Sequence, residues 1–500
     1  LALLIVPIDL DANLRRVSPR FTQPRLTVRS VSIYFAVVLL WLVLTGAAWF
    51  GSGIFAWTTG LSYILYDTFL LIYVARKTYY LVKDPAVTVQ DAVPVPSPAT
   101  GVASAAAPRP TLGVLIAAYN EAPALPTTLD ALLPQLKPGD VVLVVDDGSE
   151  DATAQMLRER FEVGWPAPLS VGGSTRHPGL QILRAAHGGK ARALNAGLTR
   201  LHTDLIVTVD ADTKLAPGAL EGLRRAFVDE PKLAAACCVI RPVCAPAALA
   251  GFFQWFQTYE YIRAFCSRIA WMRADALLLV SGAFAAFRRD AVVVVGGFDP
   301  ECLVEDYELI HRLHRYSFDQ GLGWRVRVLP APRALTDAPA SLPSFLKQRR
   351  RWFSGFLQTQ YWNCDMTFNG RYGKLGSWML PIKALDTMQP IFGLTAFILL
   401  VLFAVLGKLA IVVPVLCVIL SKVAIDLFFH VWWVHVYGRW TGQRTTHSGL
   451  GLALLAALAE PFSFQLLRHA GATWGWFNFI MRRQQWGITA SVPAVEGHIK

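Results

Sequence analysis

Six short motifs carry side chains able to do chemistry, and they follow one another along the chain: Ala118-Tyr119-Asn120-Glu121, Val145-Asp146-Asp147-Gly148-Ser149, Gly188-Gly189-Lys190, Asp210-Ala211-Asp212, Val304-Glu305-Asp306 and Gln348-Arg349-Arg350-Arg351-Trp352. Asp210 and Asp212 are two residues apart, so on extended backbone both carboxylates point the same way and can serve one hard cation, Mg²⁺ or Mn²⁺. Such a cation would neutralise charge building on a departing diphosphate. Lys190 stands at a Gly-rich bend entering a helix, where backbone amides and an ammonium can approach phosphate oxygens. It is not a nucleoside-triphosphatase loop, because Ala191 stands where that pattern requires a hydroxyl. Glu305 and Asp306 precede a helical run, and the amino end of a helix favours ionised carboxylates; an Asp there is suited to take a proton from a hydroxyl. Gln348, Arg351 and Trp352, at i, i+3 and i+4, share a helix face offering an amide, a guanidinium for phosphate and an indole for stacking. Lys347, Arg349 and Arg350 are expected to face elsewhere, toward anionic lipid headgroups. Taken singly, each motif has an ordinary structural explanation: a helix cap, an Asx-turn, a solvated lysine or a basic interfacial helix.

The elements that must position these residues are legible as apolar runs. GVLIAA, VVLVV, LQILRA, DLIVTV and LAAACCVI alternate with helical stretches at 125–136 and 151–161. Continuous apolar strands separated by helices predict a parallel sheet covered on both faces. In such a sheet the ligand crevice lies beyond the carboxyl ends of the strands. AYNE, the Asp146-Asp147 pair and the Asp210-Ala211-Asp212 triplet each close a strand, so three strand ends deliver acids to one rim.

Of the 500 residues 54% are hydrophobic and only 16% charged, which excludes an ordinary soluble enzyme and a single domain. The net charge of +12 comes from basic residues that flank apolar runs instead of forming one stripe, so no nucleic-acid partner is expected. Seven cysteines without CxxC pairs or zinc-ligand spacing predict reduced thiols. The expected organisation is a basic segment (1–30), a transmembrane hairpin (31–83, spans 31–50 and about 54–74), a Pro/Ala-rich linker (84–110), a catalytic domain (111–340), an amphipathic interface helix (341–372), C-terminal spans (373–470) and an interfacial segment (471–500). The C-terminal spans are placed at about 380–406, 409–437 and 450–467, the last broken at Glu460-Pro461. Basic flanks put the hairpin ends and the catalytic domain in the cytoplasm. Arg482 and Arg483 favour a cytoplasmic C-terminus, which a re-entrant or interfacial arrangement of the last segments would allow.

The ordered set AYNE, VDDGS, GGK with ALN, DAD, Ser281-Gly282-Ala283-Phe284, VED and Q-x-x-R-W between apolar spans resembles the membrane-embedded family 2 glycosyltransferases with a GT-A catalytic domain, which include bacterial cellulose, hyaluronan, chitin and poly-N-acetylglucosamine synthases. The resemblance implies an α/β, Rossmann-like GT-A domain in the cytosol, inserted between transmembrane helices of the bacterial inner membrane, with amphipathic interface helices. It implies a UDP-sugar donor, an oligosaccharide or polysaccharide acceptor, contact with membrane lipids and a periplasmic export partner. By the same likeness Ala118, Tyr119, Glu121, Asp146, Asp147, Lys190 and Asp210 bind the nucleotide-sugar together with Gln348, Arg351 and Trp352. Asp210 and Asp212 hold the metal. Asp306 is the base with Glu305 beside it, and Ser281, Gly282, Ala283, Phe284 and Trp352 face the acceptor. The implied reaction is an inverting displacement that leaves a β-linkage. A synthase adding one sugar to a membrane lipid shares these motifs, and a non-catalytic receptor or scaffold with a retained transferase fold is the alternative from another class. VED in place of the usual TED or GED leaves the choice of donor and acceptor open.

Overall fold

The computed structural model describes residues 8–22, 26–50, 54–83, 109–442 and 447–481. Most of the expected linker and the C-terminal Arg482 and Arg483 lie outside them. Nine strands form one sheet: β1 (Leu112–Ala118), β2 (Val141–Asp146), β3 (Val171–Gly173), β4 (Leu180–Arg184), β5 (Leu205–Val209), β6 (Lys214–Leu215), β7 (Leu233–Cys244), β8 (Phe284–Arg288) and β9 (Arg325–Ala338). Their order is β3-β4-β2-β1-β5-β8-β7-β9-β6.

The parallel sheet expected from the apolar runs holds for β4, β2, β1 and β5 and again for the β7–β9 pair, but is interrupted between them and at the edges. β8 lies antiparallel between β5 and β7, and β3 and β6 are antiparallel at the two edges. The sheet is therefore mixed. An all-apolar strand such as Phe284-Ala285-Ala286-Phe287 records burial on both faces, which fixes a central position but not a direction. β9 escapes the apolar pattern because Pro330 and Pro332 remove amide donors inside it. The β7–β9 ladder accommodates them with a register shift, Cys237 opposite Val328 and then Val239 opposite Arg333.

Helices cover the sheet and aim its rim. The Lys190–Leu198 helix lies on β1 and β2, and a Cβ at Gly197 would meet Leu115 Cδ2 at 2.5 Å, so its approach depends on that missing carbon. The Glu305–Asp319 helix is anchored by a fully buried pair: Arg312 grips Glu308 and also donates to the carbonyls of Val295 and Gly297. Arg315, also buried, pairs with Asp365 at 2.6 Å.

Among the described residues two helices, Leu375–Val405 and Val412–Thr441, are long and apolar enough to cross a membrane, with mean hydropathy 2.2 and 2.3. A bent pair, Gly449–Phe462 and Phe464–Ile480, meets at 48° and makes a third candidate if it is one span. The bend falls at Glu460-Pro461-Phe462, where the chain makes a short 3₁₀ turn, as the sequence expects. Of the N-terminal hairpin, the Val28–Phe50 helix includes the apolar stretch Val28–Leu44. The Ile54–Thr78 helix carries Asp67, ion-paired to Lys422 at 2.7 Å, so it turns a polar face inward. The Phe464–Ile480 helix presses on the Leu342–Trp362 helix. A Cβ at Gly475 would lie 2.9 Å from the Arg350 carbonyl oxygen, and Ser354 Oγ donates to the Gly475 carbonyl.

Candidate active site

Each motif residue is held by identifiable local chemistry. Asn120 adopts a left-handed conformation (φ 58°), which Asn tolerates better than most residues, and its Oδ1 accepts from the Glu150 and Asp151 amides. That ties the end of β1 to the loop after β2 and sets Glu121 on the rim. Asp147 accepts from the Gly188 and Gly189 amides at 2.8 and 2.9 Å. It thereby fixes the bend that presents Lys190. His187 stacks against Tyr119, ring centroids 4.3 Å apart, with Nδ1 3.0 Å from the Asp147 carbonyl oxygen.

Lys190 Nζ lies 2.5 Å from Asp210 Oδ1 and 3.4 Å from Glu305 Oε1, joining the Gly-rich bend, the acidic triplet and the VED motif at one cation. Burial by itself would lower the Lys190 pKa, but Asp210 and Glu305 outweigh it and hold the ammonium above its usual range. Burial raises the pKa of Glu305, with Lys190 only partly offsetting it. This corrects the expectation that the helix amino end lowers it: Glu305 is 2% exposed, so desolvation exceeds the dipole. Asp306 is less enclosed. Its Oδ2 accepts from the Gly282 amide at 2.6 Å and its Oδ1 from the Tyr307 amide. A Cβ at Gly282 would fall 3.1 Å from Asp306 Oδ2, so the residue facing this carboxylate must be small.

Asp212 is braced by Thr213 and Thr336, whose hydroxyls lie 2.9 Å apart and each reach Asp212 Oδ1 at 3.3 Å. Its pKa is raised well above the ordinary carboxylate range, first by burial and then by Asp210, Asp337 and Glu121. Asp337, at the end of β9, has its own pKa pushed up to about 6 by burial. Among the described residues no group of three or more His, Cys, Asp or Glu side chains is arranged to hold a metal unaided. The donor set still fits a divalent cation. Crowded carboxylates in a low dielectric carry uncompensated negative charge, and Asp210 and Asp212 would leave coordination positions for diphosphate oxygens.

One cavity of about 1340 Å³ joins these groups. Ala118, Tyr119, Glu121, Asp147, Lys190, Asp210, Asp212, Ser281, Gly282, Ala283, Glu305, Asp306, Gln348, Arg351 and Trp352 all line it. Asp146 and Phe284 do not. Asp146 turns back to accept from the Ser149 amide, and Phe284 is buried within the sheet on β8. Of the basic residues expected to face lipid headgroups, Arg349 instead is buried and bidentate on Glu260, at 2.9 and 2.6 Å, with its guanidinium 4.6 Å from the Trp352 ring. Arg350 lies over Trp474. Both turn inward because the Phe464–Ile480 helix covers that side of the Leu342–Trp362 helix.

The cavity also runs between the apolar helices, where Asp67, Lys383, Asp386, Gln389, Lys422 and Asp426 line it. Lys422 pairs with both Asp67 and Asp426 there. Neither this extension nor Asp337, His187 or the Ala250–Met272 helix is marked by a sequence motif. Asp337 was hidden with the proline-interrupted β9. The polar residues inside apolar helices were the available signal for the extension.

Residues 113–295 match the family model described as Glycosyl transferase family 2, and residues 205–420 match that of Glycosyl transferase family group 2. The poly-beta-1,6-N-acetyl-D-glucosamine synthase of Staphylococcus aureus (strain COL) is 28% identical over 242 residues, 48% of this chain and 53% of that protein. The corresponding synthase of Staphylococcus epidermidis is 27% identical over 262 residues, 51% of this chain and 58% of that protein. The match spans a little over half the length of these relatives. Among solved structures, a mannosyltransferase from Pyrobaculum calidifontis in complex with GDP-Man and Mn²⁺ aligns with a TM-score of 0.49 at 21% identity, covering 79% of this chain and 99% of that one. The first model takes in Glu121, Asp147, Lys190 and the Asp210-Asp212 pair, the second that pair, Glu305, Asp306 and the Q-x-x-R-W helix, so the chain carries family 2 glycosyltransferase domains.

Proposed function

We propose that the chain transfers a sugar from a UDP-sugar to the terminal hydroxyl of a growing β-linked polysaccharide, inverting the anomeric carbon, and passes the product into the membrane. The observation that carries this reading is the continuity of one cavity from the rim acids to the space between the apolar helices. Glu121, Tyr119 and the Asp147-braced bend would receive the uridine nucleotide, and Lys190 with Arg351 its diphosphate. A divalent cation held by Asp210 and Asp212 would neutralise charge on the leaving diphosphate. Asp306, its carboxylate oriented by the Gly282 amide, accepts the proton of the attacking hydroxyl. Gln348 and Trp352 line the acceptor side, and stacking on the indole would hold the terminal sugar.

Between the helices the lining mixes apolar side chains such as Phe397, Leu400 and Val418 with charged ones, and the charged ones favour a hydroxyl-rich chain over a lipid acceptor, because acyl chains would desolvate Asp67, Lys422 and Asp426 without replacing their hydrogen bonds. We place the catalytic domain on the cytoplasmic side of a bacterial inner membrane, with export coupled to synthesis. The test is a UDP-sugar panel with the purified full chain in detergent and Mg²⁺ or Mn²⁺, measuring UDP release, sizing the product and digesting it with glucanases and hexosaminidases. Polymeric product supports the reading. A lipid carrying one sugar would replace it with the glycolipid reading, and no UDP release with any donor would sink both.

A further inference from the structure

Arg268 is a charge on the cavity that the chemistry above leaves unused. It lies on the Ala250–Met272 helix, whose other cavity-lining charges are matched: Glu260 pairs with Arg349 and Arg468, and Arg263 with Glu460. No carboxylate among the described residues pairs with Arg268, and its Nε and Nη1 are buried without an acceptor. Its neighbours are the Phe265 ring, 4.5 Å from the guanidinium carbon, and the Cys237 thiol, which the Ser281 amide also approaches. Burial raises the pKa of that thiol, so it is neutral and a weak acceptor.

A guanidinium taken from water without a counter-charge is costly, and a native protein that keeps one beside a cavity has a reason to do so. Its position narrows the reason. Tyr261, two turns earlier on the same helix face, is within electrostatic reach of both Arg268 and Asp212, while the Cys237 thiol links Arg268 to Ser281. The guanidinium, joined to the Ser281 amide through the Cys237 thiol, thus borders the cavity beside the Ser281-Gly282 wall. A sugar ring must occupy that space if its anomeric carbon is to lie between the diphosphate and Asp306. A sugar hydroxyl offers the guanidinium a neutral acceptor whose direction rotates freely, whereas a carboxylate matches its fork with two oxygens and an acetamido carbonyl presents a planar oxygen with two lone pairs.

We propose that Arg268 is a specificity-determining residue that reads a carbonyl-bearing substituent, acetamido or carboxylate, on the sugar being transferred; this rests on the UDP-sugar reading above. The experiment uses the full chain in detergent with Mg²⁺ and measures displacement of radiolabelled UDP by UDP-N-acetylhexosamine, UDP-hexuronic acid and an unsubstituted UDP-hexose. The parent should bind at least one substituted donor about ten-fold more tightly than the hexose, the size of a charge-assisted hydrogen bond. In Arg268→Met that advantage should collapse toward unity. Arg268→Lys should keep part of an advantage for the uronate, which needs only charge, but little of one for the acetamido sugar, which identifies the group read. Thermal unfolding separates a structural role: Arg268→Met removes an unpaired buried charge, so its unfolding temperature should hold or rise. Equal affinities of the parent for all three donors, or an unchanged ratio in Arg268→Met, overturns the assignment. If the parent binds no UDP at all, the donor reading falls first, and the assignment with it.

Discussion

Replacing Asp306 by Asn tests the centre of the proposed reaction with little change of shape. In the parent, one carboxylate oxygen accepts from Gly282 at 2.6 Å and the other from Tyr307 at 2.8 Å. An Asn can keep one of these bonds through its carbonyl oxygen but sets its NH₂ against the other amide. One hydrogen bond is lost, a cost of about 1 kcal/mol that the buried Glu308–Arg312 anchor of the same helix can absorb. The chemical loss is larger. A carboxamide cannot take the acceptor proton, and removing a positioned general base costs about 100- to 10,000-fold in rate. Since neither Asp306 oxygen is engaged by Lys190, the diphosphate side is untouched, and UDP affinity should stay within about three-fold, under 1 kcal/mol. Initial UDP release and UDP titration calorimetry on the same preparation separate the two effects. Transfer near the parent rate would refute the assignment of the base. Loss of UDP affinity in parallel with the rate would show instead that Asp306 holds the site together.

Glu308→Gln leaves Arg312 buried with only carbonyl partners and should destabilise the protein by about 3–5 kcal/mol, while Glu308→Met with Arg312→Met should recover much of the loss; thermal unfolding in detergent measures both. Carboxylic acids whose folded pKa is raised bind protons more tightly when folded, so their share of stability is present at low pH and lost as pH rises through the folded value. For Asp337 that passage is near pH 6, and Mn²⁺ affinity, read by electron paramagnetic resonance, should run the other way, rising between pH 5 and 7.5 with a flatter slope in Asp337→Asn. Mn²⁺ and UDP should each strengthen binding of the other by the same factor, and calorimetric titrations in both orders that gave independent affinities would contradict the shared site.

The apolar runs exposed the inner sheet because β1, β2 and β5 are buried on both faces, and a buried strand must be apolar throughout. They were silent on direction, since antiparallel β8 is as apolar as the parallel strands β1, β2 and β5, and on β9, where two prolines interrupt the ladder. Asp337 went unseen with it. The rim acids were legible because strand ends deliver them, but Asp210 and Asp212 do not share a face of extended backbone as their spacing suggested: the strand ends at Val209 and the chain turns, the Thr213 amide donating to the Asp210 carbonyl at 3.0 Å. Long-range pairing was not legible: nothing near Arg349 in sequence indicates that Glu260 will neutralise it, so a basic run resembled a lipid-facing helix. Burial of Glu305 was hidden for the same reason, as its desolvation comes from elements distant in the chain.

Charge matching distinguishes the two ends of the cavity and explains why its ligands should depend on one another. Between the apolar helices each carboxylate has a cation within reach, Asp386 with Lys383 and both Asp67 and Asp426 with Lys422, so that stretch is closer to charge balance and presents hydrogen-bonding groups to whatever passes. At the rim Asp210, Asp212, Asp337, Glu121, Glu305 and Asp306 face few cations, and Lys190 is shared between Asp210 and Glu305. A nucleotide diphosphate alone would add anionic charge to an acidic cleft and compete for an ammonium already in use. A cation on Asp210 and Asp212 would reverse both terms, lowering the negative potential and releasing Lys190 toward the phosphates. The burial and carboxylate excess that together raise the pKa of Asp212 thus make the rim a poor site for either ligand alone and a good one for the two together.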